Sequence, residues 1–250
     1  MKAMIFAAGL GTRLRPLTND RPKALVEVAG VTMLERVIRH VADAGFHDIV
    51  INVHHFGEKI IDFLKENRNF GLNIAVSDER EQLLDTGGGI LKARRWLDGD
   101  EPFLVHNADI LTTLDLRAMY DYHVAHNAMA TLLVKDRETQ RYFVFDRERR
   151  LRGWINKATG ETRPDSFAYD ESAMQCLAFG GVHVISPQIF PHLQRYAAHG
   201  AKFSIAPFYY NECHRLIIKG YVPADDYSWL DVGKPETLAT ANELFNDRQV

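Results

Sequence analysis

Cysteine is nearly missing from this chain of 250 residues. Cys176 and Cys213 are the only two, which excludes a disulfide framework and a four-cysteine zinc site and fits a reducing compartment, so a cytoplasmic location is expected. No apolar run approaches the roughly 20 residues that span a bilayer, and no membrane partner is expected. The first apolar stretch is short and runs straight into GTRLRP, so it reads as a mature N-terminus rather than a signal peptide. An excess of positive charge is missing too. The net charge is −3, so no global field draws nucleic acid, and a polyanion has to be met by a local cluster of cations. Signs of covalent or metal-centred catalysis are sparse: there is no Gly-x-Ser-x-Gly elbow, and neither cysteine has a histidine beside it in a nucleophile motif. The pairs His54/His55 and His123/His126 lack a third ligand at a diagnostic spacing.

What is present is alternation. Residues 2–8 (KAMIFAA) make an apolar run suited to a strand buried on both faces. Thr32 opens a helix as a capping box with Glu35; Leu34, Val37, Ile38 and Val41 follow at helical spacing, and Gly45 ends it. Strands are predicted at 48–53, 73–77 and 102–106, and helices at 58–67, 90–97 and 116–125. Such an order implies an α/β fold with a mostly parallel sheet covered by helices on both faces. After residue 128 the runs MATLLVKD, YFVFD, LRGWI and CLAFGGVHVI, split by charged turns, predict an antiparallel or mixed insertion. Residues 156–174 are rich in turn formers and read as a long surface loop. Helices near 208–216 and 235–245, with the strand-like YSWLDV between them, close the chain. With 46% hydrophobic and 25% charged residues and no repeat or linker, a single domain over residues 1–250 is expected.

Four stretches carry chemistry. In AAGLGTRLRP a dinucleotide fingerprint fails because Leu14 stands where the third glycine belongs, and a P-loop fails because no lysine follows a glycine at the required spacing. What remains is a loop after the first strand whose free N–H groups can wrap phosphate oxygens, with Arg13 and Lys23 supplying charge for a triphosphate; the alternative is a tight turn with solvated cations. Asp85-Thr86-Gly87-Gly88-Gly89 precedes the helix predicted from Ile90. Three consecutive glycines cost backbone entropy, which close approach to a flat nucleobase would justify; a flexible hinge is the equal alternative. Asn107-Ala108-Asp109 and Trp229-Leu230-Asp231-Val232-Gly233 each end an apolar strand, where ligands bind in open α/β sheets. Asp109 is either a cap or turn residue or, with Asp231, one of two hard carboxylates able to hold Mg²⁺.

Together G-L-G-T-R-L-R-P-L-T with R-P-K-A-L, D-T-G-G-G-I, N-A-D and W-L-D-V-G resemble the sugar-1-phosphate nucleotidyltransferases over nearly the whole chain. Within that family the chain looks closest to N-acetylmuramate-1-phosphate uridylyltransferases and mannose-1-phosphate guanylyltransferases, and it lacks the hexapeptide β-helix of the bifunctional acetyltransferase members. The resemblance implies a nucleotide-diphospho-sugar transferase fold, a Rossmann-like three-layer α/β/α sandwich with a mixed, mostly parallel sheet. Its nucleotide-binding part would cover about 1–127 and its sugar-binding part about 128–250. It further implies that Gly9, Leu10, Gly11, Thr12 and Arg13 wrap the triphosphate, that Arg13 and Lys23 are catalytic, and that Asp85, Gly87 and Gly88 line the nucleotide. Thr86, Asn156, Lys157 and Gly181 would contact the sugar phosphate, with Asp109 and Asp231 holding Mg²⁺. Three positions depart from the family pattern: Asn156 stands where many members have glutamate, Ala108 where glycine is usual, and Lys234 where threonine is frequent.

The implied reaction joins a nucleoside triphosphate to a sugar 1-phosphate and releases pyrophosphate, by a monomer or small homo-oligomer. UTP and N-acetylmuramate 1-phosphate are the first expectation; GTP with mannose 1-phosphate, or dTTP or UTP with glucose 1-phosphate, are alternatives. Both reactants are polyanions, so charge repulsion and positioning set the barrier and no side-chain nucleophile is required. A non-catalytic nucleotide-sugar sensor is the alternative of a different class. A choline-phosphate cytidylyltransferase would share the opening motif but not the Thr-Gly-Gly-Gly segment.

Overall fold

Side-chain alternation along the first strand divides the interior in two. In this computed structural model, which describes residues 1–246, Ala3 and Ile5 belong to one apolar core and Met4 to another. A strand whose successive inner residues, Ala3 to Phe6, are all apolar has to be covered on both faces. Along the chain the elements are β1 (Lys2–Phe6), the small hairpin β2 (Glu27–Val28) and β3 (Val31–Thr32), α1 (Met33–Asp43), β4 (Asp48–Val53), α2 (Gly57–Glu66) and β5 (Asn73–Asp78). Then come α3 (Asp85–Lys92), α4 (Arg94–Leu97), β6 (Phe103–Asn107), β7 (Ile110–Thr112), α5 (Leu116–Ala125), β8 (Ala130–Lys135), β9 (Arg141–Phe145), β10 (Leu151–Asn156) and β11 (Glu161–Arg163). The chain continues with β12 (Gln175–Ile185), α6 (Phe190–Tyr196), α7 (Ile205–Glu212), β13 (Ile218–Tyr221), β14 (Trp229–Asp231) and α8 (Pro235–Asn246).

The central sheet is mixed. β1 pairs in parallel with β4 and β6, and β4 with β5. The long β12 then runs antiparallel to β6, β8 and β9, with β10 and β11 extending that side and β13 parallel to β8. Helices α1, α2, α5 and α8 give Leu34, Val37, Ile60, Leu116, Met119 and Leu238 to one core, while α3, α4, α6 and α7 give Ile90, Leu97, Phe190, Leu193, Ile205 and Phe208 to the other. The result is the α/β/α sandwich expected from the sequence. No helix among the described residues is long and apolar enough to cross a membrane.

Local signals act where they were read. The Thr32 hydroxyl accepts the Glu35 N–H at 3.2 Å, capping α1, and Gly45 takes φ +90° where the helix ends. Two expectations change. The helix predicted from Ile90 begins at Asp85, so the glycine triplet is helical rather than a turn ahead of the helix. The stretch 156–174 is not wholly a loop, because β11 folds back on β10 with Ile155 opposite Thr162.

Candidate active site

The carboxyl ends of β1, β4 and β6 open into a cleft of about 340 Å³ whose wall includes Phe6, Gly9, Lys23, Asn52, Asp85, Thr86 and Asp109. Ligands gather at such strand ends because the backbone leaves the sheet there with unused N–H groups and loop side chains converge. The loop after β1 keeps this character. Gly9 and Leu10 are exposed, and the N–H groups of Gly9, Leu10 and Gly11 donate to no other described residue. Gly11 sits at φ +65°, and a Cβ there would lie 2.9 Å from Lys23 Cβ, so only glycine lets the loop pass against the Lys23 segment without strain. The Thr18 hydroxyl donates to the Gly11 carbonyl at 2.8 Å and fixes the turn. Thr12 and Arg13 follow in a short 3₁₀ turn anchored by buried Leu14.

Beneath the loop, an unforeseen polar chain holds the strand ends together. The Ala7 N–H donates to Asn52 Oδ1 at 2.8 Å, Asn52 Nδ2 donates to Glu79 Oε1 at 2.9 Å, and the Leu84 N–H donates to Glu79 Oε2 at 3.0 Å. Asn52 and Glu79 are both buried. A polar residue next to the end of the apolar run in DIVINV was the one available signal for Asn52.

The two aspartates come from distant parts of the sequence. Asp109 follows β6; β14 pairs antiparallel with β7 so that Asp231 lies opposite Ile110, and the Val232 N–H donates to the Asp109 carbonyl at 2.9 Å. Lys23, itself buried, donates to Asp109 Oδ2. Asp231 Oδ1 is buried and has no hydrogen-bond partner. Burial, and then the neighbouring Asp109 charge, push the Asp231 carboxyl above its ordinary range against the pull of Lys23, Arg13 and Arg137. Arg13 Nη2 and Asp231 Oδ1 each lie 2.8 Å from the point a Cβ on Gly233 would occupy. Gly233 therefore leaves both groups the space they occupy. An orphaned buried carboxylate oxygen beside a second carboxylate is the donor set a hard divalent cation takes, so the residues fit Mg²⁺.

The remaining candidates divide. Asp85 and Thr86 lie on the cleft wall, with Asp85 in the left-handed region at φ +62°. Gly87 and Gly88 are buried inside α3 instead, their N–H groups donating to the Phe203 carbonyl at 2.9 and 3.2 Å. A Cβ at Gly87 would fall 2.3 Å from the Phe203 ring, and one at Gly88 2.3 Å from the Ala201 carbonyl. These glycines admit the 201–203 segment rather than face the cleft. Gly181, at φ +75°, packs where a Cβ would meet Asn107 Nδ2 at 2.9 Å. Asn156 accepts the Ala158 N–H on its Oδ1 at 3.0 Å, and exposed Lys157 rests 5.3 Å from the Tyr142 ring; neither is among the residues that line the cleft.

Residues 2–248 match the family model described as nucleotidyl transferase. The chain is 34% identical to an N-acetylmuramate alpha-1-phosphate uridylyltransferase of Neisseria meningitidis, with 98% of each chain covered. It is 30% identical to a mannose-1-phosphate guanyltransferase of Schizosaccharomyces pombe, covering 98% of this chain and 64% of that one. Among solved structures, a putative glucose-1-phosphate thymidylyltransferase from Bacillus anthracis superposes with a TM-score of 0.81 at 18% identity, covering 100% of this chain and 97% of that one. A UDP-glucose pyrophosphorylase bound to UDP-glucose gives 0.76 at 19% identity, covering 98% of each. The last two show the shared fold.

Proposed function

The chain belongs to the nucleotidyl transferase family, and on that ground we propose that it transfers the uridylyl group of UTP to N-acetylmuramate 1-phosphate, releasing pyrophosphate. The substrate pair follows the relative matched end to end. The reaction class rests on one observation above others, the meeting of Asp109, Asp231 and Lys23 beside a loop at the end of β1 whose N–H groups at residues 9–11 donate to no other described residue. The sugar phosphate oxygen attacks the α-phosphorus, the bond to the β-phosphate oxygen breaks, and the charge leaves on pyrophosphate. The attacking phosphate is already ionised, so no base is needed. The loop N–H groups of residues 9–11 and the Arg13 guanidinium receive the triphosphate. Lys23 orients Asp109 and adds positive charge at the cleft floor, where excluded water makes it count for more. Mg²⁺ held by Asp109 and Asp231, when bound, offsets charge on the phosphate oxygens.

In a pyrophosphate-release assay, Asp109→Ala is expected to lose roughly a hundredfold or more of the activity while keeping the wild-type circular dichroism. Full activity in that variant would overturn the assignment of the metal site.

A further inference from the structure

At the end of β8 two cations, Lys135 and Arg137, stand two positions apart without a direct ionic contact to another described residue. Neither Lys135 nor Arg137 forms an ion pair or side-chain hydrogen bond with another described residue, although the exposed Arg80 and Arg163 each bridge two carboxylates. Arg137 Nε is buried without a partner. Both heads lie on aromatic faces: Lys135 Nζ is 4.8 Å from the Tyr227 ring centre and 5.2 Å from that of Trp229, and Arg137 Cζ is 5.2 Å from Trp229. The platform is fixed, because Trp229 Nε1 donates to the Gly180 carbonyl at 2.8 Å. Two like charges held together at the cost of partial burial call for an anion, and burial and the Arg137 charge together lower the Lys135 pKa.

The position says which anion. Trp229 and Asp231 are two residues apart on β14, so their side chains share one side, about 7 Å apart along the strand. The Arg137 charge is felt at Asp231. A ligand whose phosphate sits at Asp109 and Asp231 would have the Trp229 platform, with Lys135 and Arg137 on it, about 7 Å away along the strand, within the span of a sugar ring and a short substituent. The phosphates already have Arg13, Lys23 and the loop. From this juxtaposition we propose that Lys135 and Arg137, seated on Tyr227 and Trp229, form a subsite for a carboxylate carried by the sugar, which makes the preferred substrate class acidic sugar 1-phosphates. The inference rests on the reaction proposed above and deepens it.

The test compares N-acetylmuramate 1-phosphate with its carboxamide, equal in size but without the carboxylate charge, in wild type, in Lys135→Met/Arg137→Met, and in the charge-keeping Lys135→Arg/Arg137→Lys. A charge-assisted hydrogen bond predicts a wild-type kcat/KM preference for the acid of roughly tenfold to a hundredfold. That ratio falls to near one in the methionine variant and is largely kept in the charge-keeping one. A wild-type ratio near one, or equal losses for acid and amide in the methionine variant, overturns the subsite and leaves the pair as counter-charges to Asp231. If no sugar phosphate turns over, the reaction falls instead. Calorimetric binding of acid and amide then decides the subsite by itself: tighter binding of the acid supports it, and equal affinity overturns it.

Discussion

Acidification to pH 5 should destabilise this protein through its buried histidines. His106, His123 and His183 are each at most 1% exposed, and burial pushes their pKa values down to about 4, about 4 and about 3. Their partners suit neutral rings: His123 bridges the Thr131 and Ser186 hydroxyls at 2.9 Å each, and His183 meets the Tyr209 hydroxyl at 2.6 Å. The unfolded chain takes up protons near pH 6.5 and the folded one does not, so stability is complete above that value and is lost as the pH falls toward the folded values. At pH 5 each histidine costs about 2 kcal/mol, or about 6 kcal/mol together, against a total stability of about 5–15 kcal/mol. The melting temperature should fall by about 10–20 °C between pH 7 and pH 5. His40, whose pKa burial also lowers, acts in the same direction; Asp231, whose carboxyl is raised, acts against them as a single group. Differential scanning calorimetry across this range reads the effect, and His123→Gln should flatten the slope by about a third. Equal melting temperatures at the two pH values would show that these rings are charged in the folded protein, refuting the burial argument.

Two further outcomes follow from the packing. Asn52→Leu strands the Ala7 N–H and one oxygen of buried Glu79 and should cost about 2–4 kcal/mol in urea unfolding; a loss below about 0.5 kcal/mol would mean the polar chain does not hold the strand ends. Gly87→Ala forces a Cβ into the Phe203 ring and should lower stability by about 1–3 kcal/mol with nucleotide affinity per folded molecule nearly kept; weaker nucleotide binding at unchanged stability would put Gly87 on the ligand after all.

The sequence was most legible where one local rule decides the outcome. The spacing of Leu34, Val37, Ile38 and Val41 with Thr32 as cap fixes α1, and short, largely apolar runs fix β1, β4 and β6. It was least legible where tertiary contact overrides propensity. Three glycines are poor helix formers, yet Gly87–Gly89 are helical, and the packing demands them: a Cβ would strike Phe203 at Gly87, Ala201 at Gly88 and Glu79 at Gly89. The motifs named Asp109 and Asp231 separately, but only the pairing of β14 with β7 brings them together. Asn52, Glu79, Lys135 and Arg137 match no motif. Asn52 and Glu79 are defined by hydrogen-bond partners far along the chain, and Lys135 and Arg137 by the aromatic rings of Tyr227 and Trp229 on which they rest.

The most direct test of the central claim is ³¹P NMR of the protein mixed with UTP, N-acetylmuramate 1-phosphate and Mg²⁺. Pyrophosphate and a uridine diphosphate sugar should appear in equal amounts, and only when all three are present. Release of inorganic phosphate or UDP in their place, or no change with any pairing of nucleoside triphosphate and sugar 1-phosphate, would contradict it.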